Sequence, residues 1–213
     1  MEAKRGNLLG SPGPTRKQKR LKTESEKSFL MSYETDLKQI KALAAEKEDE
    51  NWKFRGFLKS CVPGEKIDSL FHKFAEEVSK EIDCTKCANC CRHVSPYLSA
   101  ADIDRLAGHL NLSDNALREK YLVKSDEDDE FYLNTLPCPF LEGNLCTVYA
   151  SRPDACRSYP HLHKRDRVFS LISIISNCQV CPIVYHVFER VKMKLAAQEQ
   201  DDIFIDFDDE SDD

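Results

Sequence analysis

The chain has 213 residues, 32% of them charged, and a formal net charge of -6. A chain of this length suits one domain with extensions, and its longest apolar runs, such as residues 171–175, are too short to span a membrane. Residues 1–30 carry a net charge of +5 and residues 199–213 a net charge of -9, which leaves -2 for the middle of the chain. That middle therefore offers no extended basic face for nucleic acid.

Both ends of the chain are predicted to lie outside the folded domain, which we place at residues 31–198. Residues 1–30 combine eight Lys or Arg with scattered Gly and Pro, a composition that predicts a disordered basic leader or residues ahead of a start at Met31. Residues 199–213 contain nine acidic residues and no basic one, and we expect an acidic tail there. The N-terminus has no apolar stretch of the secretory type, so we expect a cytoplasmic protein.

Helical periodicity dominates the first third of the domain. Apolar residues follow a helical pattern over residues 33–44 and again over residues 52–58, after which Pro63 and Gly64 stop it. The clearest stripe covers residues 67–82 at steps of three and four residues. These patterns predict amphipathic helices, the last of which leads directly into a group of cysteines.

The rest of the domain is predicted to mix short helices with a β-hairpin. Ser99 and Ser113 are each placed to cap a helix, and residues 140–149 indicate two strands around a glycine turn. A helix start is expected at residues 151–154, and a final helix at Pro182, because proline suits the first helical position. The predicted fold is therefore mainly α with a small β-hairpin, a compact helical domain organised around a cysteine-ligated metal centre.

Four cysteines stand within eight residues, in the run Cys84-Thr-Lys-Cys87-Ala-Asn-Cys90-Cys91. Thiolate is the soft ligand that zinc and iron–sulfur clusters take, and two-residue gaps let successive sulfurs turn towards one centre. The spacing of Cys84, Cys87 and Cys90 equals the first three positions of the bacterial ferredoxin run. Adjacent side chains diverge, so Cys90 and Cys91 indicate either two nearby centres or one centre plus a free thiol.

Five further cysteines are candidate metal ligands from more distant segments: Cys138, Cys146, Cys156, Cys178 and Cys181. Cys138 and Cys181 each precede a proline, as the fourth ferredoxin ligand does, so either could complete a tetrahedron. Cys61 stands alone after an apolar pair and is expected to be a buried small hydrophobe rather than a ligand. Because nothing routes the chain to an oxidising compartment, metal ligation is favoured over disulfides.

Nine candidate ligands allow more than one arrangement of metal. They would fill two four-thiolate sites with one cysteine over, or one iron–sulfur cluster plus a second zinc-like site. The ferredoxin-like spacing favours an iron–sulfur cluster, of the four-iron and four-sulfur type, over zinc. The pairs Cys84/Cys87 and Cys178/Cys181 would also make a zinc-ribbon-like site, so zinc stays open.

Polar residues near the cysteines are weaker candidates for the site. The predicted helix start places Cys156 in a first turn, where the helix dipole favours a thiolate. Arg152 and Arg157 flank this cysteine, and they either steady sulfur-borne charge or form ordinary salt bridges. Histidines close to the cysteines, such as His161, would be redundant beside so many thiolates.

Taken together, the motifs resemble the bacterial family of zinc- or iron-chelating cysteine-cluster proteins (YkgJ-like) over residues 31–198. The resemblance rests on the cluster at residues 84–91, on Cys138-Pro-Phe-Leu with Gly143 and Cys146, and on Cys156-Arg with Tyr159-Pro. The cluster is also similar to that of flagellin lysine N-methylases. The resemblance implies a metal or iron–sulfur centre on the matching cysteines: Cys84, Cys87, Cys90, Cys91, Cys138, Cys146 and Cys156, with Cys178 and Cys181 as additions.

Three classes of function remain open on these motifs. The first is a metal-binding protein of redox, metal-handling or structural character with an unknown protein or redox partner, and the number of ligands favours it. The second is an enzyme, such as a protein lysine N-methylase or an iron–sulfur oxidoreductase, although Gly56, Gly64, Gly108 and Gly143 are too scattered to form a loop that cradles a nucleotide. The third, a zinc-stabilised module that binds nucleic acid, is supported by the basic leader alone.

Overall fold

The structure, a computed structural model, describes residues 33–126 and 130–205, with side chains to residue 197, and it begins with three consecutive helices. These are α1 (Leu37–Glu46), α2 (Glu48–Cys61) and α3 (Gly64–Glu81). Asp36 caps α1 by accepting hydrogen bonds from the backbone N–H groups of Lys38 and Gln39, at 3.0 and 2.9 Å. The three helices lie where apolar periodicity predicts them.

The middle of the chain forms short helices and a three-stranded sheet. In order, the elements are α4 (Cys84–Cys87), α5 (Asn89–His93), β1 (Tyr97–Leu98), α6 (Ala100–Leu110), α7 (Asp114–Tyr121), β2 (Leu122–Lys124) and β3 (Phe131–Leu133). The strands are antiparallel in the order β1-β3-β2, and in this register Leu98 pairs with Phe131 while Leu122 pairs with Leu133. Helix α6 contacts β1 and helix α7 contacts β2, so the sheet and these two helices form one unit. This unit begins directly after the cysteine cluster.

The two predicted serine caps are confirmed. The Ser99 hydroxyl accepts from the backbone N–H of Asp102 at 3.2 Å, and the Asp102 carboxylate accepts from the backbone N–H of Ser99 at 3.0 Å. This reciprocal pair is a capping box with aspartate in the place of glutamate, and it starts α6. The Ser113 hydroxyl accepts from the backbone N–H of Ala116 at 3.3 Å and starts α7.

The predicted hairpin is present as β4 (Leu141–Glu142) and β5 (Leu145–Cys146). Leu141 pairs with Cys146, and Gly143 between the strands has a φ of +59°, which glycine adopts without steric cost. A 3-10 turn at Tyr149–Ser151 then leads into α8 (Asp154–Ser158). The hairpin and α8 therefore carry Cys146 and Cys156.

Two C-terminal helices complete a helical core with α3. A 3-10 turn at Arg167–Ser170 leads into α9 (Leu171–Cys178), and α10 (Pro182–Ile205) begins at the predicted proline. Helix α10 packs along α3 and α9. Phe71 and Phe188 meet between the helices with their ring centroids 6.2 Å apart, and neither ring is exposed.

A second hydrophobic core lies under the sheet and is separate from the helical one. Its buried members come from α6, α7, the three-stranded sheet and the hairpin region: Leu98, Ile103, Leu106, Ala107, Leu117, Leu122, Leu133, Phe140 and Val148. The chain passes from the helical core to this second core through α4 and α5, and it returns through residues 149–170. The cysteine cluster is therefore one of the two segments that join the cores.

The prediction of a mainly α fold with a small β-hairpin is confirmed, and the three-stranded sheet is an addition to it. The predicted leader at residues 1–30 lies outside the described residues. Helix α10 extends to Ile205, inside the segment predicted as the acidic tail, and residues 206–213 lie outside the description. Within the described ranges, no helix is both long enough and apolar enough to cross a bilayer.

Candidate metal centre

The cysteine cluster is folded into two one-turn helices with a sharp change of direction between them. The Asp83 carboxylate starts α4 by accepting from the backbone N–H of Thr85 at 2.9 Å. Ala88, between α4 and α5, has a φ of +49°, in the left-handed region that L residues seldom adopt. This turn sets Cys84 and Cys87 on one short helix and places Cys90 and Cys91 on the next.

Arg92 fixes this segment to the β4–β5 hairpin. Its guanidinium donates to the carbonyl oxygen of Cys87 at 3.1 Å, to that of Gly143 at 2.8 Å and to the Asn144 side-chain oxygen at 2.6 Å. The Asn144 amide in turn donates to the carbonyl oxygen of Lys86 at 2.8 Å. A charged donor with several acceptors holds two remote segments at a fixed distance, so the hairpin and the cluster form one unit.

Two more hydrogen bonds bring the proline-preceding cysteines to the cluster. The backbone N–H of Cys138 donates to the carbonyl oxygen of Cys91 at 2.8 Å. The buried Asn89 side chain donates to the carbonyl oxygen of Val180, next to Cys181, at 2.7 Å. Both of the distant segments that sequence spacing singled out are therefore hydrogen-bonded to the cluster.

A first thiol group consists of four cysteines that influence one another electrostatically: Cys84, Cys87, Cys90 and Cys181. Burial raises the pKa of Cys181 to about 12, and nearby negative charge on Cys84 and Cys87 adds to the rise. Burial also raises the pKa of Cys84, with Cys87 as the strongest charged neighbour and with Asp83 and Cys91 close to it as well. The Cys90 thiol has a raised pKa because it donates a hydrogen bond to Cys91, because it is buried, and because Cys181 and Cys84 lie close to it.

A second thiol group lies on the side of the second core: Cys91, Cys138, Cys146 and Cys156. Burial raises the pKa of Cys138 to about 11 and that of Cys156 to about 12, and Cys91 is the strongest charged neighbour in both cases. Burial and Cys91 also raise the pKa of Cys146. Cys91 differs, because the hydrogen bond from Cys90 and the charge of Arg92 lower its pKa. Cys91 is thus the thiol of this group that ionises first.

Residues 83–182 match a family model. That family is CxxCxxCC, described as a "putative zinc- or iron-chelating domain". The match contains the eight cysteines of the two thiol groups and also Cys178, nine in all, and it leaves Cys61 outside. No curated protein and no solved structure gives a significant match. The match supports the predicted resemblance to a chelating domain over residues 83–182, a stretch that we call the CxxCxxCC domain after the model it matches, while the similarity to YkgJ-like proteins and to flagellin lysine N-methylases stays a prediction.

The donor chemistry of the CxxCxxCC domain fits a soft metal, because each thiol group supplies four sulfurs and no carboxylate. The sulfurs of each group lie near one another but are not arranged as a complete coordination shell. Among the described residues, no three side chains of the His, Cys, Asp and Glu types are grouped closely enough to hold a metal ion. Ligation by either group therefore requires its thiols to move closer together.

Arg152 and Arg157 flank Cys156 in the sequence but have different roles in the structure. The positive charge of Arg152 contributes to the lowered pKa of Cys91 and opposes the rise in the pKa values of Cys146 and Cys156, and its Nε atom is buried without a hydrogen-bond partner among the described residues. Arg157 instead donates from Nε to the carbonyl oxygen of Arg152 at 3.0 Å. Only the first arginine is directed at the sulfurs. Cys156 lies in the first turn of α8 as predicted; burial raises its pKa, and the preference for a thiolate there stays a prediction.

The two remaining cysteines, Cys61 and Cys178, are not members of either thiol group, although Cys178 lies near Cys181. Cys178 is buried in the helical core, and its thiol donates to the carbonyl oxygen of Ile174 in its own helix at 3.4 Å. Its role as a ligand stays a prediction. Cys61 is exposed at the end of α2, so the expectation that it is buried is wrong. Leu58 before it is buried, whereas Cys61, at the end of the same helix, is on an exposed position.

Several residues of the site carry no signal in the sequence. Arg92, Asn144 and Asn89 act on backbone carbonyls that are between 5 and 91 positions away, and such partners follow only from the tertiary fold. Tyr159 is a further example, because its hydroxyl lies next to Cys181 and donates to the Asn177 side-chain oxygen at 3.0 Å. Its proximity to Cys181 gives the first thiol group a polar neighbour.

Proposed function

We propose that this protein binds zinc or iron through the cysteine thiolates of its CxxCxxCC domain, and that the metal is an iron–sulfur cluster. The observation that carries the proposal is the pair of hydrogen bonds, Cys138 N–H to Cys91 and Asn89 to Val180, that draws distant cysteine segments to the cluster. The family match supports metal binding in general. The ferredoxin-like spacing of the first three cysteines favours the cluster.

The residues of the domain would prepare the thiols for metal. At neutral pH most of these thiols hold their protons, since burial raises their pKa values, so binding must release protons from them. Arg92 and Arg152 supply positive charge that favours ionisation of Cys91. A bound cluster would supply one-electron transfer, whereas a bound zinc would stabilise the fold.

The identity of the metal is tested by anaerobic purification followed by elemental analysis and visible spectroscopy. The expected result is brown protein with broad visible absorbance that contains iron and acid-labile sulfide. Colourless protein with stoichiometric zinc would keep the metal-binding function and reject the cluster. Protein that is free of both metals, and that stays free of them after incubation with either, would contradict the proposal as a whole.

The alternative of a protein N-methylase stays a prediction without support from a specific contact. Three of the four glycines between residues 31 and 198, Gly56, Gly64 and Gly108, lie in α-helices, and Gly143 forms the hairpin turn. None of them is part of a glycine-rich loop of the kind that cradles a nucleotide or nucleoside cofactor. Methyl transfer from S-adenosylmethionine to a cellular protein fraction would be the observation that revives this alternative.

Replacement of Arg92 by alanine is expected to weaken metal binding about 10- to 100-fold, the usual effect of removing a residue that positions ligands. The reason is that Arg92 holds the Cys87 segment against the hairpin. Competition with a chromophoric chelator measures the affinity. Lys86→Ala is the matched control, because it removes the same charge from the same segment while its side chain is 84% exposed, and it should leave the affinity nearly unchanged.

A further inference from the structure

We propose that a cavity between α9 and the loop that precedes it binds the phosphate group of a small molecule. This α9 cavity has a volume of about 200 Å³. Among the described residues that line it, none is acidic and none is a cysteine. The polar ones come from residues 161–177: His161, Lys164, Arg167, Ser170, Ser173 and Asn177. The inference goes beyond metal binding and does not depend on which metal the cysteines hold.

The loop on one side of the α9 cavity is fixed to α3. The Asp68 carboxylate on α3 accepts from the backbone N–H groups of Asp166 and Arg167, both at 2.8 Å. The ring of His72, about one turn further along α3, is hydrogen-bonded to the carbonyl oxygen of Lys164 at 3.0 Å. Because contacts outside the cavity hold the loop, this side is formed in advance, and a ligand pays little to order it.

Arg167 places a buried positive charge on this loop. Its side chain lines the cavity although the residue is only 8% exposed. The guanidinium donates to the carbonyl oxygen of Arg165 at 3.3 and 2.8 Å and to that of His161 at 3.1 Å. A guanidinium has further N–H donors beyond these, and no described residue accepts from them.

The charge of Arg167 is not neutralised by an ion pair within the described ranges. Asp68 and Asp166 are the acids whose charges act on it, but the Asp68 carboxylate is bound to backbone N–H groups. Burial lowers the pKa of Arg167 in spite of these two carboxylates. A buried charge without a paired charge is costly, so an anion in the α9 cavity would stabilise the arginine.

Lys164 adds a second positive charge at the exposed side of the cavity. Its ammonium group forms no hydrogen bond or ion pair with a described residue. The pKa of His161 falls to about 4, first because the ring is partly buried and then because Lys164, His163 and Arg167 lie near it. The imidazole is therefore neutral at pH 7, and the positive potential of the cavity comes from the lysine and the arginine.

The opposite side of the α9 cavity is one face of α9 and of the turn before it. Positions 170, 173, 174 and 177 fall on one face of a helix. The hydroxyl groups of Ser170 and Ser173 form no hydrogen bond with a described residue, so both can donate to a ligand. Ile174 and Val184 are buried and supply apolar lining, which keeps water from the arginine and strengthens its attraction for an anion.

These donors suit a phosphate group better than a carboxylate. A phosphate group carries a charge of about -2 and has three terminal oxygens that accept hydrogen bonds in different directions. A carboxylate has one charge and two oxygens in one plane. Arginine, lysine and hydroxyl donors on two sides of a cavity match the first pattern, and arginine and lysine are the usual protein partners of phosphate.

The α9 cavity is connected to the segment of Cys181. The backbone carbonyl oxygen of Asn177 accepts from the backbone N–H of Cys181 at 2.8 Å, and the Asn177 side-chain oxygen accepts from the Tyr159 hydroxyl at 3.0 Å. A residue that lines the cavity is thus bonded to a candidate metal ligand. The test therefore uses the protein with its metal, and the metal content is measured before and after phosphate is added.

Isothermal titration calorimetry of the full-length protein with inorganic phosphate at constant ionic strength tests the site, and saturable binding of about one phosphate per chain is expected. Lys164→Ala should weaken binding at least about tenfold, because it removes a charged donor. Arg165→Ala is the matched control, since it removes the same charge from the next position, which is exposed and does not line the cavity. Its effect should stay within about twofold.

Ser173→Ala is a second variant for the case in which Lys164→Ala fails to fold, and it should weaken binding by about threefold or more through loss of a neutral donor. Glycerol 3-phosphate is the second probe. Tighter binding than inorganic phosphate identifies a phosphate ester as the ligand class, and equal binding identifies free phosphate. No saturable binding of either probe, the same heat from sodium chloride, or equal losses in Lys164→Ala and Arg165→Ala would overturn the inference and leave the proposed metal binding intact.

Discussion

Cys87→Ser is expected to lower the free energy of unfolding by at least about 3 kcal/mol. Binding of structural zinc contributes on the order of 10–16 kcal/mol in small domains, and this free energy is also folding free energy. A serine hydroxyl is a poor replacement for one of four thiolates, so roughly a quarter of that contribution is lost. The helix that carries residue 87 is a single turn, and it has no hydrophobic core of its own to compensate.

Urea denaturation of wild type and variant, each as purified, measures the difference. Cys61→Ser is the matched control, because Cys61 is exposed and outside the CxxCxxCC domain, and its cost should stay within about 0.5 kcal/mol. In excess chelator, wild type and Cys87→Ser should unfold at nearly the same urea concentration. An unchanged midpoint without chelator, together with full metal content, would show that Cys87 is not a ligand.

The helices and their ends could be predicted from the sequence because their signals are local. Ser99 and Asp102 form the expected capping box, Pro182 starts the last helix, and Gly143 makes the hairpin turn. The three-stranded sheet escaped prediction, since its strands at residues 97–98 and 122–124 are too short to show an alternating pattern. Strands of two or three residues exist only because tertiary contacts pair them.

The arrangement of the candidate site could not be predicted from the sequence, and which cysteines bind metal stays a prediction. Spacing identified the nine cysteines that the family model spans, and proline neighbours singled out Cys138 and Cys181 as partners of the cluster. Which thiols are neighbours depends on hydrogen bonds between segments that are far apart in the chain, such as Asn89 with Val180. Residues of this kind, Arg92 and Asn144 included, have no local pattern that distinguishes them from surface residues.

The connection between the two cores explains why metal binding and folding should be coupled in this chain. One of the two segments between them consists of the one-turn helices α4 and α5, and isolated helices of that length are unstable. The folding of these two helices depends on the hydrogen bonds of Arg92 and Asn89 and on the metal that the cysteines bind. The least stable helices of the domain are therefore those of the cysteine cluster. Loss of metal should change how the two cores are held together, and not only unfold one end of the chain.

Asp102→Asn is expected to cost about 3 kcal/mol of unfolding free energy, because it removes the charge from a buried ion pair. The Asp102 side chain is 1% exposed and pairs with Arg105. It also accepts from the Ser99 hydroxyl at 2.8 Å and from the backbone N–H of Asp154 at 3.0 Å. The last bond ties α6 to the start of α8, the helix that carries Cys156, so the variant should also loosen this part of the site.

Asp154→Asn is the matched control, since Asp154 pairs with the same Arg105 at 2.9 Å but its side chain is 69% exposed. An exposed pair contributes little, so a cost below about 1 kcal/mol is expected from urea denaturation at pH 7. Equal costs for the two variants would contradict the assignment, because the difference in burial would then have no energetic consequence.

The effect of Asp102→Asn should depend on pH in a defined direction. Burial by itself raises the pKa of Asp102, but the hydrogen bonds from Ser99, Asp154 and Arg105 outweigh it and lower the pKa below the ordinary value. A carboxylate with a lowered pKa stabilises the folded state above the unfolded-state pKa of about 3.9, and this contribution is lost as the pH falls through the folded-state pKa. The difference between wild type and Asp102→Asn should therefore be constant from pH 7 to about 5 and shrink below about pH 4, and a difference that grew on acidification would show that burial, not hydrogen bonding, controls this carboxylate.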